Sequence, residues 1–174
     1  MTTIQEAVDW ITARHNFHHG FDHFQRFMAS QGDPQDQLRA IHVAGTNGKG
    51  STVSYLASVL REAGYTVGTF TSPHLVAHQD RIRIQERWID DATFVRYVDI
   101  YRDLLEQWDL AMFEIDFFFA CLWFIEQKVD IAVIEVGLGG LLDSTNTLRH
   151  PLCSVIVSIG LDHMERLGNT EEAI

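Results

Sequence analysis

Ile41-His42-Val43-Ala44-Gly45-Thr46-Asn47-Gly48-Lys49-Gly50-Ser51-Thr52 passes from a short β-like run into three glycines within six residues. It then enters a stretch that puts Val53, Leu56, Ala57 and Leu60 on one helical face. A strand, a tight turn and a helix in that order predict a phosphate loop. Gly45, Gly48 and Gly50 have no Cβ, so the backbone can turn sharply and approach a ligand closely. Successive N–H groups and the helix N-terminus then converge where an anion is stabilised. Lys49 adds a mobile positive charge for the β- and γ-phosphates, and the hydroxyls of Ser51 and Thr52 can reach a phosphate-bound Mg2+. The segment from Gly45 to Thr52 is therefore the expected ATP site. The generic phosphate-loop pattern has four residues between its glycines and Ser or Thr directly after the lysine. Here two residues fill the gap and Gly50 follows Lys49.

The narrower pattern Gly45-Thr46-Asn47-Gly48-Lys49-Gly50-Ser51 resembles that of the Mur ligase superfamily, in particular the folylpolyglutamate synthase/dihydrofolate synthase family. The resemblance recurs from about residue 10 onward. Trp10, Gly20 and Gly32-Asp33-Pro34 look like the family's N-terminal region, which helps shape the folate site. Thr71-Ser72-Pro73-His74-Leu75 is similar to a family segment whose serine binds Mg2+ and whose loop contacts folate. Asp80-Arg81-Ile82 stands where the family has Glu-Arg-Ile, so the resemblance implies that Ser72, Pro73, His74 and Arg81 meet substrate. Gly137-Leu138-Gly139-Gly140-Leu141-Leu142-Asp143-Ser144-Thr145-Asn146 matches a further motif, with Leu141 in place of an arginine. Gly160-Leu161-Asp162-His163 resembles a family Gly-x-Asp-His whose histidine is a Mg2+ ligand.

Composition sets outer bounds. The 174 residues suit one domain with a full core. A net charge of −11 and a pI near 5.1 argue against nucleic acid as partner, since no basic footprint is clustered. An acidic surface also means that ATP and an anionic substrate need local help from Lys49, helix N-termini and Mg2+. Cys121 and Cys153 lie far apart in apolar runs, so no disulfide framework is expected and a reducing cytoplasm fits. Nothing at the N-terminus reads as a signal peptide. The longest apolar run, Phe117 to Ile125, is nine residues, against about 20 for a membrane span.

Along the chain, strands and helices alternate. Ile4, Ala7, Val8 and Ile11 predict one helix, and Phe21, Phe24, Phe27 and Met28 a second that Gly32-Asp33-Pro34 ends. His15, His18, His19 and His23 have spacings that allow a metal pair, although solvated histidines are the plainer reading. Thr66 to Phe70 predicts a strand parallel to the first by the crossover rule. Ile82, Ile84, Trp88 and Ile89 predict a small hairpin, Asp90-Asp91 start a helix, and Met112 to Ile125 reads as a helix buried against the sheet. Glu114 either matches the family's Phe-Glu or complements its own helix N-terminus. Ile131 to Gly137 is a buried parallel strand ending in the carboxylate of Glu135, placed where nucleotide hydrolases hold Mg2+. Val155 to Ile159 is the final strand.

The expectation is an α/β fold in which a parallel sheet is flanked by helices on both faces, with a phosphate loop, like the Mur ligase central domain. The resemblance implies an ATP-dependent amide ligase that phosphorylates the carboxylate of folate or dihydropteroate and joins it to L-glutamate. Lys49, Glu135 and His163 would be its catalytic residues, and Ser51, Ser72, Glu135 and His163 its Mg2+ ligands. Residues 1–174 would be the N-terminal ATP-binding domain, ending at the start of a helix and lacking the family's C-terminal glutamate-binding domain. A monomer is expected. A phosphate-loop ATPase or kinase of another class, or a nucleotide-binding fragment with no chemistry of its own, would use the same Lys49 and Glu135.

Overall fold

Ile131-Ala132-Val133-Ile134 has no polar member because it lies between two helical layers. In the computed structural model, which describes residues 2–15 and 19–170, this run forms β5, Ile131–Glu135, and every residue of it is buried. β5 pairs in parallel on one side with β1, Ala40–Ala44, and on the other with β2, Val67–Phe70. β1 pairs in parallel beyond that with β6, Cys153–Ile156. The predicted hairpin, β3 (Ile82–Ile84) and β4 (Arg87–Trp88), extends β2 as an antiparallel edge. The six-stranded order is β4-β3-β2-β5-β1-β6. The sheet is thus parallel in four strands and antiparallel at one edge. β1 and β2 are parallel, as the crossover rule expects, with β5 inserted between them.

Alternation along the strands sends side chains to two unequal layers. Val43, Val67 and Val133 meet Val53 of α3, Lys49–Glu62, which covers one face alone. Ala40, Phe70, Ala132 and Ile134 face the larger core under α5, Met112–Glu126. Behind α5 stand α1 (Ile4–Thr12), α2 (Phe21–Ser30) and α4 (Asp91–Gln107). α5 is apolar nearly all round because it is sandwiched between sheet and helices, and Phe117, Phe118, Phe119 and Phe124 are fully buried. Each such ring stabilises the fold by about 1.5–3 kcal/mol through the water it sheds. The caps follow local chemistry: Thr3 and Asp90 accept the N–H groups of Glu6 and Thr93 at the starts of α1 and α4.

Two sequence expectations shift here. The last strand begins at Cys153 and leaves the ladder after Ile156, not at Ile159. Its partner β1 ends at Ala44 and becomes the phosphate loop, so residues 157–160 bond a loop instead of a strand. The chain then makes a short helix, α6, Met164–Leu167, closed by Gly168. Of the helix expected to start at the chain's end, Glu171–Ile174 lie outside the described residues, as does His18 of the histidine cluster. Both cysteines are free, Cys121 buried and Cys153 exposed on β6.

Candidate active site

Because β1, β2 and β5 are parallel, their C-terminal ends open on one edge of the sheet. β1 runs into the loop at Gly45, β2 into Thr71-Ser72-Pro73, and β5 ends in Glu135. Gly45 has φ +136°, and a Cβ there would stand 2.5 Å from Val157 Cγ2 and 2.9 Å from the Ser158 carbonyl oxygen. Gly48 caps α3 in the left-handed region at φ +85°. Thr46 N–H donates to the Ser158 carbonyl at 2.7 Å, and Asn47 N–H to Ser158 Oγ at 3.3 Å. Thr46 Oγ1 donates to the Gly160 carbonyl at 3.0 Å. Gly45, Thr46 and Asn47 are thereby fastened to residues 157–160. The N–H groups left without a backbone acceptor are those of Lys49, Gly50 and Ser51 in the first turn of α3, with Thr52 N–H already bonded to the Gly48 carbonyl at 2.9 Å. Of the predicted segment, these free N–H groups lie in its second half. Lys49 Nζ donates to the Gly45 and Thr46 carbonyls at 2.9 and 3.3 Å.

Glu135 points to the α3 side, its Oε2 3.6 Å from where a Cβ of Gly50 would stand. That oxygen accepts the Ser72 N–H at 3.3 Å. Burial pushes the Glu135 carboxyl above the usual range, while the Ser72 N–H and the Lys49 charge oppose the shift. Gly50, Ser51, Ser72, Pro73 and Glu135 line one cavity of about 660 Å3. Hard oxygen donors around a buried carboxylate that gains from a cation fit Mg2+.

His163 is not in that cavity. It lies at φ +48°, about half exposed, its Nε2 3.9 Å from Asp162 Oδ2. With Gly45, Thr46, Lys49 and Gly139 it lines a separate small cavity of about 40 Å3. The loop after β2 is clamped from below. Asp80 accepts the N–H groups of Leu75, Val76 and Ala77 at 3.0, 2.6 and 3.3 Å. His74 is exposed, and its ring lies 5.7 Å from that of His78. Arg81 is buried, with Nε 3.7 Å from Asp116 Oδ2. The Ser72–Pro73 peptide is cis.

One contact among three residues of the quoted motifs was not foreseen in the sequence. His42, Thr145 and Asp143 form a buried chain in which His42 Nε2, assigned as the donor, meets Thr145 Oγ1 at 2.8 Å. Thr145 Oγ1 donates to Asp143 Oδ1 at 2.5 Å, and Asp143 Oδ2 accepts the Leu138 N–H at 2.8 Å. Burial holds His42 below the usual imidazole value, with Asp143 opposing. The chain ties the glycine-rich segment 137–143 to β1. Its sequence signals were a polar residue at an inward position of β1 and the motif that carries Asp143 and Thr145.

Elsewhere, Glu114 accepts the Ala111 N–H at 2.8 Å, which is the helix-capping alternative. Trp10 donates to Glu106 at 2.8 Å and is stacked by Arg14 and Arg102, joining α1 to α4. His19 and His23 pack ring on ring, His23 bonding the Trp108 carbonyl at 2.7 Å. Among the described residues no group of three or more His, Cys, Asp or Glu could hold a metal.

A glycine-rich loop entering α3, with a strand-end carboxylate beside it at the edge of a mostly parallel sheet, defines an α/β domain, and a family model described as the Mur ligase middle domain matches residues 43–174. The chain belongs to that family. More particularly, it is similar to the dihydrofolate synthase/folylpolyglutamate synthase of Bacillus subtilis, 44% identical over 99% of this chain and 42% of the relative. A solved FPGS-AMPPCP-folate complex superposes with a TM-score of 0.91 at 38% identity, covering 99% of this chain and 44% of that one. E. coli FolC in complex with DHPP and ADP gives 0.86 at 31%, covering 99% and 42%. The chain therefore spans less than half the length of these relatives.

Proposed function

We propose that this chain is the ATP-binding portion of an ATP-dependent ligase that joins L-glutamate to the carboxylate of folate or dihydropteroate, releasing ADP and phosphate. The observation that carries the reading is the shared cavity: the first turn of α3, the Glu135 carboxylate and the Ser72-Pro73 loop enclose one space at the sheet edge. An amine cannot displace water from a carboxylate unaided, so the carboxylate first takes a phosphoryl group as its leaving group. Such a transfer needs positioning and charge neutralisation more than a nucleophile, and none is built here. The N–H groups of Lys49, Gly50 and Ser51 bind phosphate oxygens, and Lys49 Nζ leaves its loop carbonyls to neutralise them. Ser51, Ser72 and Glu135 would hold the Mg2+, which supplies charge neutralisation on the transferring phosphoryl group. His163 joins this set as a ligand only if its segment moves toward Glu135. Ser72, Pro73, His74 and Arg81 serve the acceptor substrate, His74 from the exposed face of the loop and Arg81 from beneath it.

The relatives' names and bound molecules support this substrate class, and the 42% share supports residues 1–174 as the N-terminal ATP-binding domain of a longer protein whose other part binds glutamate. We place it as a cytoplasmic monomer without nucleic-acid partners; among the described residues no helix is long and apolar enough to cross a membrane. The test is ADP release by the full-length protein with folate and glutamate omitted in turn. Release that needs both supports the ligase. Release independent of either means a phosphate-loop ATPase or kinase, and none at all means a binding domain.

A further inference from the structure

A carboxylate has no packing reason to stand in a phenylalanine-rich helix. Asp116 lies one turn into α5, is 0% exposed, and is flanked by Ile115 and Phe117 in the main core. Burying it unpaired would cost several kcal/mol, so its partners show what it is for. Both come from one segment. His78 Nε2 lies 2.8 Å from Asp116 Oδ1, and Arg81 Nε 3.7 Å from Oδ2. His78 makes the one hydrogen bond to that side chain among the described residues, and Arg81 adds charge pairing at a distance too long for a hydrogen bond. His78 and Arg81 bracket the single helical turn His78–Arg81 that ends the loop from Ser72 to Ala77. His78 is itself buried, edge-on to Phe94 of α4.

The loop has no apolar anchor of its own, since Leu75 and Val76 are 85% and 77% exposed. Its conformation rests on polar clamps: Glu135 on the Ser72 N–H, Asp80 on three successive N–H groups, and Asp116 below. We propose that Asp116 is a positioning residue, which through His78 and Arg81 holds the turn from which Ser72, Pro73 and His74 are presented at the cavity. The inference rests on the proposed reading of that loop as the acceptor-substrate loop. The carboxylate would touch neither ATP nor acceptor.

The test breaks the pin from either end in the full-length protein, with Asp116→Asn and His78→Gln. Amide exchange at residues 75–77 should accelerate about tenfold in each, while exchange in α3 and β5 stays as in the parent. KM for folate should rise about fivefold and by more than KM for MgATP, because Pro73 and His74 serve the acceptor alone whereas Ser72 also serves the Mg2+. The double variant should be no worse than the poorer single one, because both remove one interaction. If Asp116→Asn does not fold, His78→Gln carries the test alone. Unchanged exchange at 75–77, or equal acceleration throughout α5 and β5, overturns the proposal. Ser72→Ala, measured beside them, isolates the underlying reading. If it leaves KM for folate unchanged while Asp116→Asn still loosens residues 75–77, the loop is pinned but does not receive the acceptor, and the functional assignment of the loop falls.

Discussion

Lys49 spends its charge on two neutral carbonyl oxygens of its own loop, those of Gly45 and Thr46. A phosphate oxygen is a better acceptor for an ammonium group, so under the proposed reading nucleotide binding would exchange two weak bonds for a charge-assisted one. Lys49→Ala removes that gain, and ATP affinity measured by calorimetry should fall by roughly 2–4 kcal/mol. Unchanged affinity would refute the assignment of the loop. Gly45 is a different case. A Cβ there would meet Val157 Cγ2 at 2.5 Å and the Ser158 carbonyl oxygen at 2.9 Å, so Gly45→Ala should act by displacing the 157–160 segment, not by touching phosphate.

At the scale of the element, α5 carries two acids with opposite roles. Glu114 caps the helix that contains it, yet burial pushes it from its ordinary 4.5 to about 7. A raised acid favours the fold only while protonated, so its stabilisation is present below pH 4.5 and lost as pH rises through 7. The loss is on the order of 3 kcal/mol. Glu114→Gln, which keeps the oxygen acceptor, should therefore gain on the parent in urea midpoint between pH 5 and pH 8; a constant gap would refute this. The element order was readable because periodicity marks helices that face one way: α1, α2 and α4 stand where their apolar stripes put them. Residue type beside a strand end singled out Ser51 and Glu135, and the family resemblance Ser72, three residues that the fold brings to one cavity. Three features were hidden. The early exit of β6 depends on where β1 stops, some 110 residues away, and no local pattern in Val155 to Ile159 records it. Asp116 and the His42–Thr145–Asp143 chain are polar groups satisfied only across the fold. The position of His163 depends on a left-handed backbone turn that its sequence motif does not announce.

For the molecule as a whole, the glycine-rich loop and the Glu135 cavity both belong to this one chain, and under the proposed reading glutamate is bound by a further domain. We expect the 174-residue chain to bind MgATP and to incorporate no glutamate, with radiolabelled glutamate as the readout. Turnover by this chain would disprove a site shared with a further domain. The fastening of Thr46 and Asn47 to Ser158 and Gly160 also orders events in time. Thr46 and Asn47 are synthesised more than 100 residues before the Ser158–Gly160 segment that clamps them, so during translation the glycine-rich loop waits unheld. Under the proposed reading, nucleotide affinity then reports whether that clamp has formed. A chain stopped at Pro151 keeps every phosphate-loop residue and should still fail to bind ATP, and calorimetry that found the affinity of the longer chain would show that the loop needs no such completion.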